Sequence, residues 1–314
     1  MIYLKGMVID MMKSKLFNNL ILILAAIIWG AAFVAQDIGL EYLGPYWLNA
    51  LRMLLGGIIL FPIYKILDKK KKFESKEEKK NYDQKGILAG VICGLFLFLA
   101  STFQNFGIIG SGAGKSGFIT SLYIILVPII SLFLHKKIGF NVWISSIVAI
   151  VGMYFLCFNN QIEGFRISDL YLILCAVFFS FQIIFVEKYS PCVNVIKLSC
   201  IQTLVVGILS LIMALIFEPI NFDSMYKAIL PILYLGIFSS CIAYTFQIIG
   251  QKNTNATVAS LLMSLESVFS LLFGLIILNE RFSIFEIIGC ILIFVAVVFS
   301  QIPIKKKDNT INDK

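Results

Sequence analysis

Apolar stretches of about 20 residues recur along almost the whole chain, the length a helix needs to cross ~30 Å of hydrocarbon. Ten can be marked, at 17–38, 45–67, 86–109, 113–134, 140–158, 169–187, 195–217, 228–250, 256–278 and 283–302. A segment inside lipid must satisfy its own backbone amides, so each run is predicted as a helix and not as a strand. Composition agrees: of 314 residues, 59% are hydrophobic and 14% charged, which lies outside the range of soluble domains. The longest connection, DKKKKFESKEEKKNYDQK at 68–85, is too charged to bury a core and is predicted as a cytoplasmic loop.

The basic residues set the orientation. With both termini cytoplasmic, the inner segments hold 21 Lys or Arg, while the outer segments hold Lys115, Arg166, Lys227 and Arg281. That asymmetry is what the positive-inside rule requires. The net charge of +8 therefore reads as a topology signal. A nucleic-acid partner is not expected, because the basic loop lacks interleaved aromatics and a fold to present them. The three lysines ahead of the first apolar run resemble the start of a signal peptide. The run is too long for one and has no cleavage site, so it is read as a retained helix.

The chain also repeats itself. Residues 100–122 (ASTFQNFGIIGSGAGKSGFITSL) align without a gap to 243–265 (AYTFQIIGQKNTNATVASLLMSL), with eight of 23 positions identical. The predicted domains are repeat 1 over 17–158, with spans one to five, and repeat 2 over 169–302, with spans six to ten. An odd number of spans per half turns the second copy upside down, the arrangement of transporters with inverted repeats. The predicted fold class is an all-α integral membrane protein, ten transmembrane helices in two inverted five-helix repeats.

Polar groups at membrane depth carry the functional signal, since a charge there costs at least ~2.5–3.5 kcal/mol on insertion scales. Glu266 lies near the middle of span nine, in VASLLMSLESVFSLLFG. Helical spacing puts Ala259, Met263, Ser267, Ser270 and Gly274 on its side, a small and polar stripe that faces protein or a cavity. It is the candidate for a substrate amine or for proton coupling; a buried structural hydrogen bond is the plain alternative. Arg52, two turns into span two in PYWLNALRMLLGG, suits a substrate carboxylate. It equally suits pairing with Asp37 or Glu41 at the outer rim, or snorkelling to headgroups. A pair of Arg52 with Glu266 would remove the desolvation problem of both.

Gln104 and Gln247 occupy matching places in STFQ and YTFQ. Such amides serve either a polar pathway or interhelical adhesion. Gln182 in span six and Gln202 in span seven, opposite Arg52 at an offset of 150, are further candidates for the path. Trp29, Phe33, Tyr123 and Tyr244 are candidates for an aromatic cavity wall, and Glu266 stands opposite Tyr123 in the repeat. Pro128 is placed to kink span four.

Other chemistry is not expected. GSGAGKSG at 110–117 imitates a phosphate loop, but its pattern needs glycine where Ile109 stands, no strand precedes it, and it lies on the outer side. It is read as a flexible turn. The one histidine, His135, sits with Lys136 and Lys137 in a cytoplasmic turn, which leaves no catalytic triad or zinc set. The seven cysteines have no metal-ligand spacing and are read as free thiols. The chain is predicted to be no enzyme, with no cofactor and no metal.

Several of these stretches together resemble the drug/metabolite transporter superfamily, specifically the EamA-type ten-helix carriers. The likeness rests on AAIIWGAAFVAQ in span one, the arginine of span two, GFITSLYIILVPIISLF in span four, and LLFGLIILNERFS followed by EIIGCILIFVAV at the end. The signature glutamate is Glu280 in the second half, with Lys137 at the corresponding place in the first. The resemblance implies a central cavity lined by spans one to four and six to nine, with spans five and ten peripheral. It implies a plasma-membrane secondary transporter that exports a small polar metabolite, an amino acid or a related compound, by alternating access. The expected partners are a small-molecule substrate, the lipid bilayer, a proton and a second copy in a homodimer. A flippase-like lipid handler and a non-transporting scaffold or receptor subunit are the alternatives.

Overall fold

The computed structural model is described over residues 15–69, 75–136, 138–157, 166–278 and 283–302. Among these residues it is helical, without a strand. In chain order the helices are α1 (Lys15–Tyr42), α2 (Pro45–Lys69), α3 (Lys76–Thr120), α4 (Tyr123–Phe133), α5 (Phe140–Cys157), α6 (Ile167–Tyr189) and α7 (Val195–Phe217). There follow the short α8 (Phe222–Lys227) and α9 (Ile229–Tyr234), a π-helical stretch (Leu235–Ala243), α10 (Tyr244–Gln251), α11 (Ala256–Met263), α12 (Leu265–Leu278) and α13 (Ile284–Ser300). Among the described residues, eight segments are long and apolar enough to cross a membrane, and Phe140–Phe155 and Ile287–Ser300 are shorter apolar helices. Large apolar side chains such as Ile58, Phe140 and Phe294 point outward, as lipid-facing residues do.

Two expectations about connections are corrected. Residues 76–85 of the charged 68–85 segment are helical, not loop. Ser75 caps that helix by accepting from the Glu78 amide, and Glu77 and Glu78 lie in the first turn, where the helix dipole favours acids. The stretch 110–117 is also helical rather than irregular. The chain nevertheless reverses there. Ser111 bonds Ser168 and Asp169 at the N-terminal end of α6, whereas Thr120 lies beside Cys175, farther along the same helix.

True interruptions come a few residues later. Helix α3 gives way to α4 at Ser121–Leu122, and α11 gives way to α12 at Ser264, 143 residues on and at the same Ser-Leu dipeptide. Both serine hydroxyls bond back to preceding carbonyls, Gly117 O at 2.7 Å and Leu261 O at 2.8 Å, a local competition that bends helices. The break thus falls at Ser121, and Pro128 lies inside intact α4.

Close helix contact is bought with glycine. A Cβ on Gly57 of α2 would stand 2.6 Å from Leu204 of α7, and one on Gly207 of α7 would stand 2.8 Å from Leu54 of α2. The two contacts are reciprocal at the 150-residue offset. The Glu218 carboxylate that follows α7 accepts from the Tyr46 and Trp47 amides, both at 2.9 Å, closing the N-terminus of α2. Gly44 makes room for it: a Cβ there would lie 2.3 Å from the carboxyl carbon. At the opposite ends of these helices, ion pairs Lys136–Glu187 and Lys197–Asp83 tie α4's exit to α6 and α3 to α7. Helices α5 and α13 pack chiefly on each other.

Candidate functional site

The breaks at Ser121 and Ser264 put Tyr123 and Glu266 in the first turns of α4 and α12. The Tyr123 hydroxyl donates to Glu266 Oε1 at 2.9 Å. Both groups are buried, and the amide end of α12 also favours the acid. These are the two members of one repeat position, in direct contact. Beside them Ser121 and Ser267 hydroxyls lie 3.2 Å apart.

Around this pair is a cavity of about 490 Å³, its mouth included, lined by Trp29, Phe33, Gln36, Arg52, Gln104, Tyr123, Phe179, Tyr244, Gln247, Met263 and Glu266, among others. Trp29 and Tyr244 meet edge to face, ring centres 5.1 Å apart. The helical stripe expected beside Glu266 is met in part: Met263 lines the cavity and Ser267 reaches Ser121, while the side chain of Gly274's segment lies outside the described residues.

Arg52 is 1% exposed. Its Nε donates to Asn49 Oδ1 at 3.0 Å, and its Nη2 is buried without a partner. Among the described residues no carboxylate lies in ion-pair distance, neither Asp37 nor Glu41 at the rim nor Glu266. Arg52 and Glu266 thus face one cavity without pairing.

Amide clusters flank the cavity at two places. Gln36 Nε2 donates to Gln104 Oε1 at 3.3 Å and Asn105 Oδ1 at 3.1 Å. Gln247 Nε2 donates to Gln182 Oε1 at 3.0 Å, and Gln182 Nε2 to Gln202 Oε1 at 3.4 Å. Gln182 and Gln202 do not line the cavity; they stand behind Gln247 and hold it. Seven of the nine predicted path residues line one cavity: Glu266, Arg52, Gln104, Gln247, Trp29, Tyr123 and Tyr244. Glu280 and Lys137 lie outside the described residues.

Sequence reading overlooked Gln36, Asn49, Ser101 and Phe179. Gln36 had a signal, an uncharged amide deep in span one. Asn49 had one too, three residues before a buried arginine and so on its helical face. No group of His, Cys, Asp and Glu suited to a metal forms among the described residues.

Relatives match in sequence along most of the chain. An uncharacterized transporter of Archaeoglobus fulgidus is 31% identical over 93% of this chain and 88% of its own length. The uncharacterized transporter YoaV of Bacillus subtilis is 24% identical over 87% and 92%. A WAT1-related chloroplast protein of Arabidopsis thaliana is 24% identical over 89% and 67%. A solved crystal structure superposes with a TM-score of 0.72 at 20% identity, covering 90% of this chain and 97% of that one, which is a likeness of fold. The model of the EamA-like transporter family matches residues 16–158 and 166–301. With these two matches covering most of its length and membrane helices along both, this multi-pass membrane chain belongs to the EamA-like transporter family.

Proposed function

We propose that the protein is a secondary carrier that exports a small polar metabolite, an amino acid or a related compound, across the plasma membrane by alternating access. The observation that carries this reading is the convergence of Arg52, Glu266 and three amides on one cavity with aromatic walls. A cation and an acid that share a cavity without neutralising each other offer separate anchors to a molecule with both charges.

The proposed architecture is ten spans in two inverted halves, over 17–158 and 169–302, with cytoplasmic termini. Its support is the family match over two consecutive segments, the reciprocal glycine contacts of α2 and α7, and the contact of Tyr123 with its repeat mate Glu266. Glu266 is the proposed proton-coupling group. In proteoliposomes, Glu266→Gln is expected to abolish the pH dependence of flux; an unchanged pH profile would refute that role.

The wider reading is tested by comparing metabolites inside and outside cells that overproduce the protein with those carrying an empty vector. A shift of at least one small polar metabolite to the medium is expected, and no shift in either direction would count against export. A lipid-handling role would need Arg52 at a lateral opening, and its burial gives that alternative no support.

A further inference from the structure

We propose that Arg52 is a carboxylate receptor whose aim is set by a relay of two residues, Asn49 and Ser101, and that the transported molecule is therefore a monocarboxylate. This rests on the carrier reading above and narrows its substrate class.

The relay crosses from α3 to α2. Asn49 Nδ2 donates to Ser101 Oγ at 2.8 Å, and Ser101 Oγ in turn donates toward Phe98 O at 3.4 Å. With its amide nitrogen so engaged, Asn49 turns its Oδ1 to Arg52 Nε, at 3.0 Å. Asn49 and Ser101 are fully buried, so water does not compete for these bonds. A guanidinium carries five N–H donors in a rigid plane. Asn49 occupies the Nε corner, which leaves the Nη end for a ligand, and Nη2 has no partner in the protein.

A buried cation without a counter-ion is costly, and a carboxylate at the Nη end would supply two parallel charge-assisted bonds. The rest of the cavity limits the charge. Glu266 lies on the same lining and opposes negative charge, so a dianion such as phosphate is disfavoured more strongly than a single carboxylate. Sequence reading left Arg52 between substrate, rim and headgroup; the buried relay supports the first.

The test uses the full chain purified in detergent, read by ligand-induced thermal stabilisation. The probes are carboxylates from acetate to L-tryptophan, each beside its own amide, with inorganic phosphate as the dianion. The expected result is that at least one carboxylate binds about tenfold or more tightly than its amide, a difference near 1.4 kcal/mol, and that phosphate does not bind. Arg52→Gln should bring carboxylate and amide within about twofold of each other.

Asn49→Ala should lower the carboxylate preference about tenfold in wild type and leave it unchanged in an Arg52→Lys background, since lysine has no Nε–H fork to hold. Ser101→Ala should fall between. A merely structural Asn49 would lower the melting temperature of the free protein without changing that ratio. If every carboxylate matches its amide, or phosphate binds best, the carboxylate receptor is overturned; if Asn49→Ala keeps the ratio, the relay is overturned. Counterflow of the same compounds in proteoliposomes separates the two levels. Preference without flux would sink the carrier reading alone, and flux without preference would sink this one alone.

Discussion

Tyr123 and Glu266 are the residues whose chemistry depends most on each other. Phenylalanine at 123 would leave a buried carboxylate oxygen with no donor, which costs about 1–3 kcal/mol. Tyr123→Phe is therefore expected to lower the thermal stability of the purified protein, while Glu266→Gln/Tyr123→Phe together should lose less than the two singles added, because they share one bond. A strictly additive double variant would show that the bond at 2.9 Å contributes nothing. Glu218 makes a second residue-scale case. Its carboxylate closes the N-terminus of another helix, and Glu218→Ala should cost about 0.5–2 kcal/mol, the range of a lost cap, in denaturant or thermal unfolding. No effect would mean that water replaces it.

Among the elements, α2 and α7 show how glycine sets distance. Gly207→Ala should destabilise more than Gly57→Ala. The new methyl at 207 meets the Leu54 backbone nitrogen at 2.8 Å, whereas at 57 the nearest backbone atom is 3.3 Å away and the tighter neighbours belong to a Leu204 side chain that can turn. Overpacking of this kind costs about 1–3 kcal/mol, and melting temperatures of the two variants in the same detergent decide the order. The helices themselves were legible from apolar length alone, because lipid allows few other structures. Their interruptions were not. Pro128 carried the obvious signal for a kink, yet the breaks fall at Ser121 and Ser264, where a hydroxyl bonding to a carbonyl does locally what no composition window detects. The charged 76–85 stretch was misread as loop for the opposite reason. Its helix depends on a cap at Ser75 and on first-turn acids, signals of position and not of hydropathy.

At the scale of the whole molecule, orientation is the property most open to test. Of the described cysteines, Cys192 is exposed, in the turn between α6 and α7, and Cys93, Cys175, Cys200 and Cys241 are buried. With Cys157→Ser in place, a membrane-impermeant thiol reagent should label Cys192 in inside-out vesicles and not in intact cells; the reverse pattern would invert the proposed topology. The cavity residues were legible one by one, as polar or aromatic groups where lipid disfavours them. Their convergence was not, since Arg52 and Glu266 are 214 positions apart in the chain and only the packed helices bring them to one space. The contact of Tyr123 with Glu266 has a further consequence. In a molecule made of two inverted halves, a position that touches its own counterpart lies on the axis that interchanges them. In the alternating access proposed above for two such halves, that point is the fulcrum and travels least. A spin-label pair set astride it should report nearly the same distance in both states, while pairs near Gln36–Gln104 and Gln182–Gln247 trade long for short.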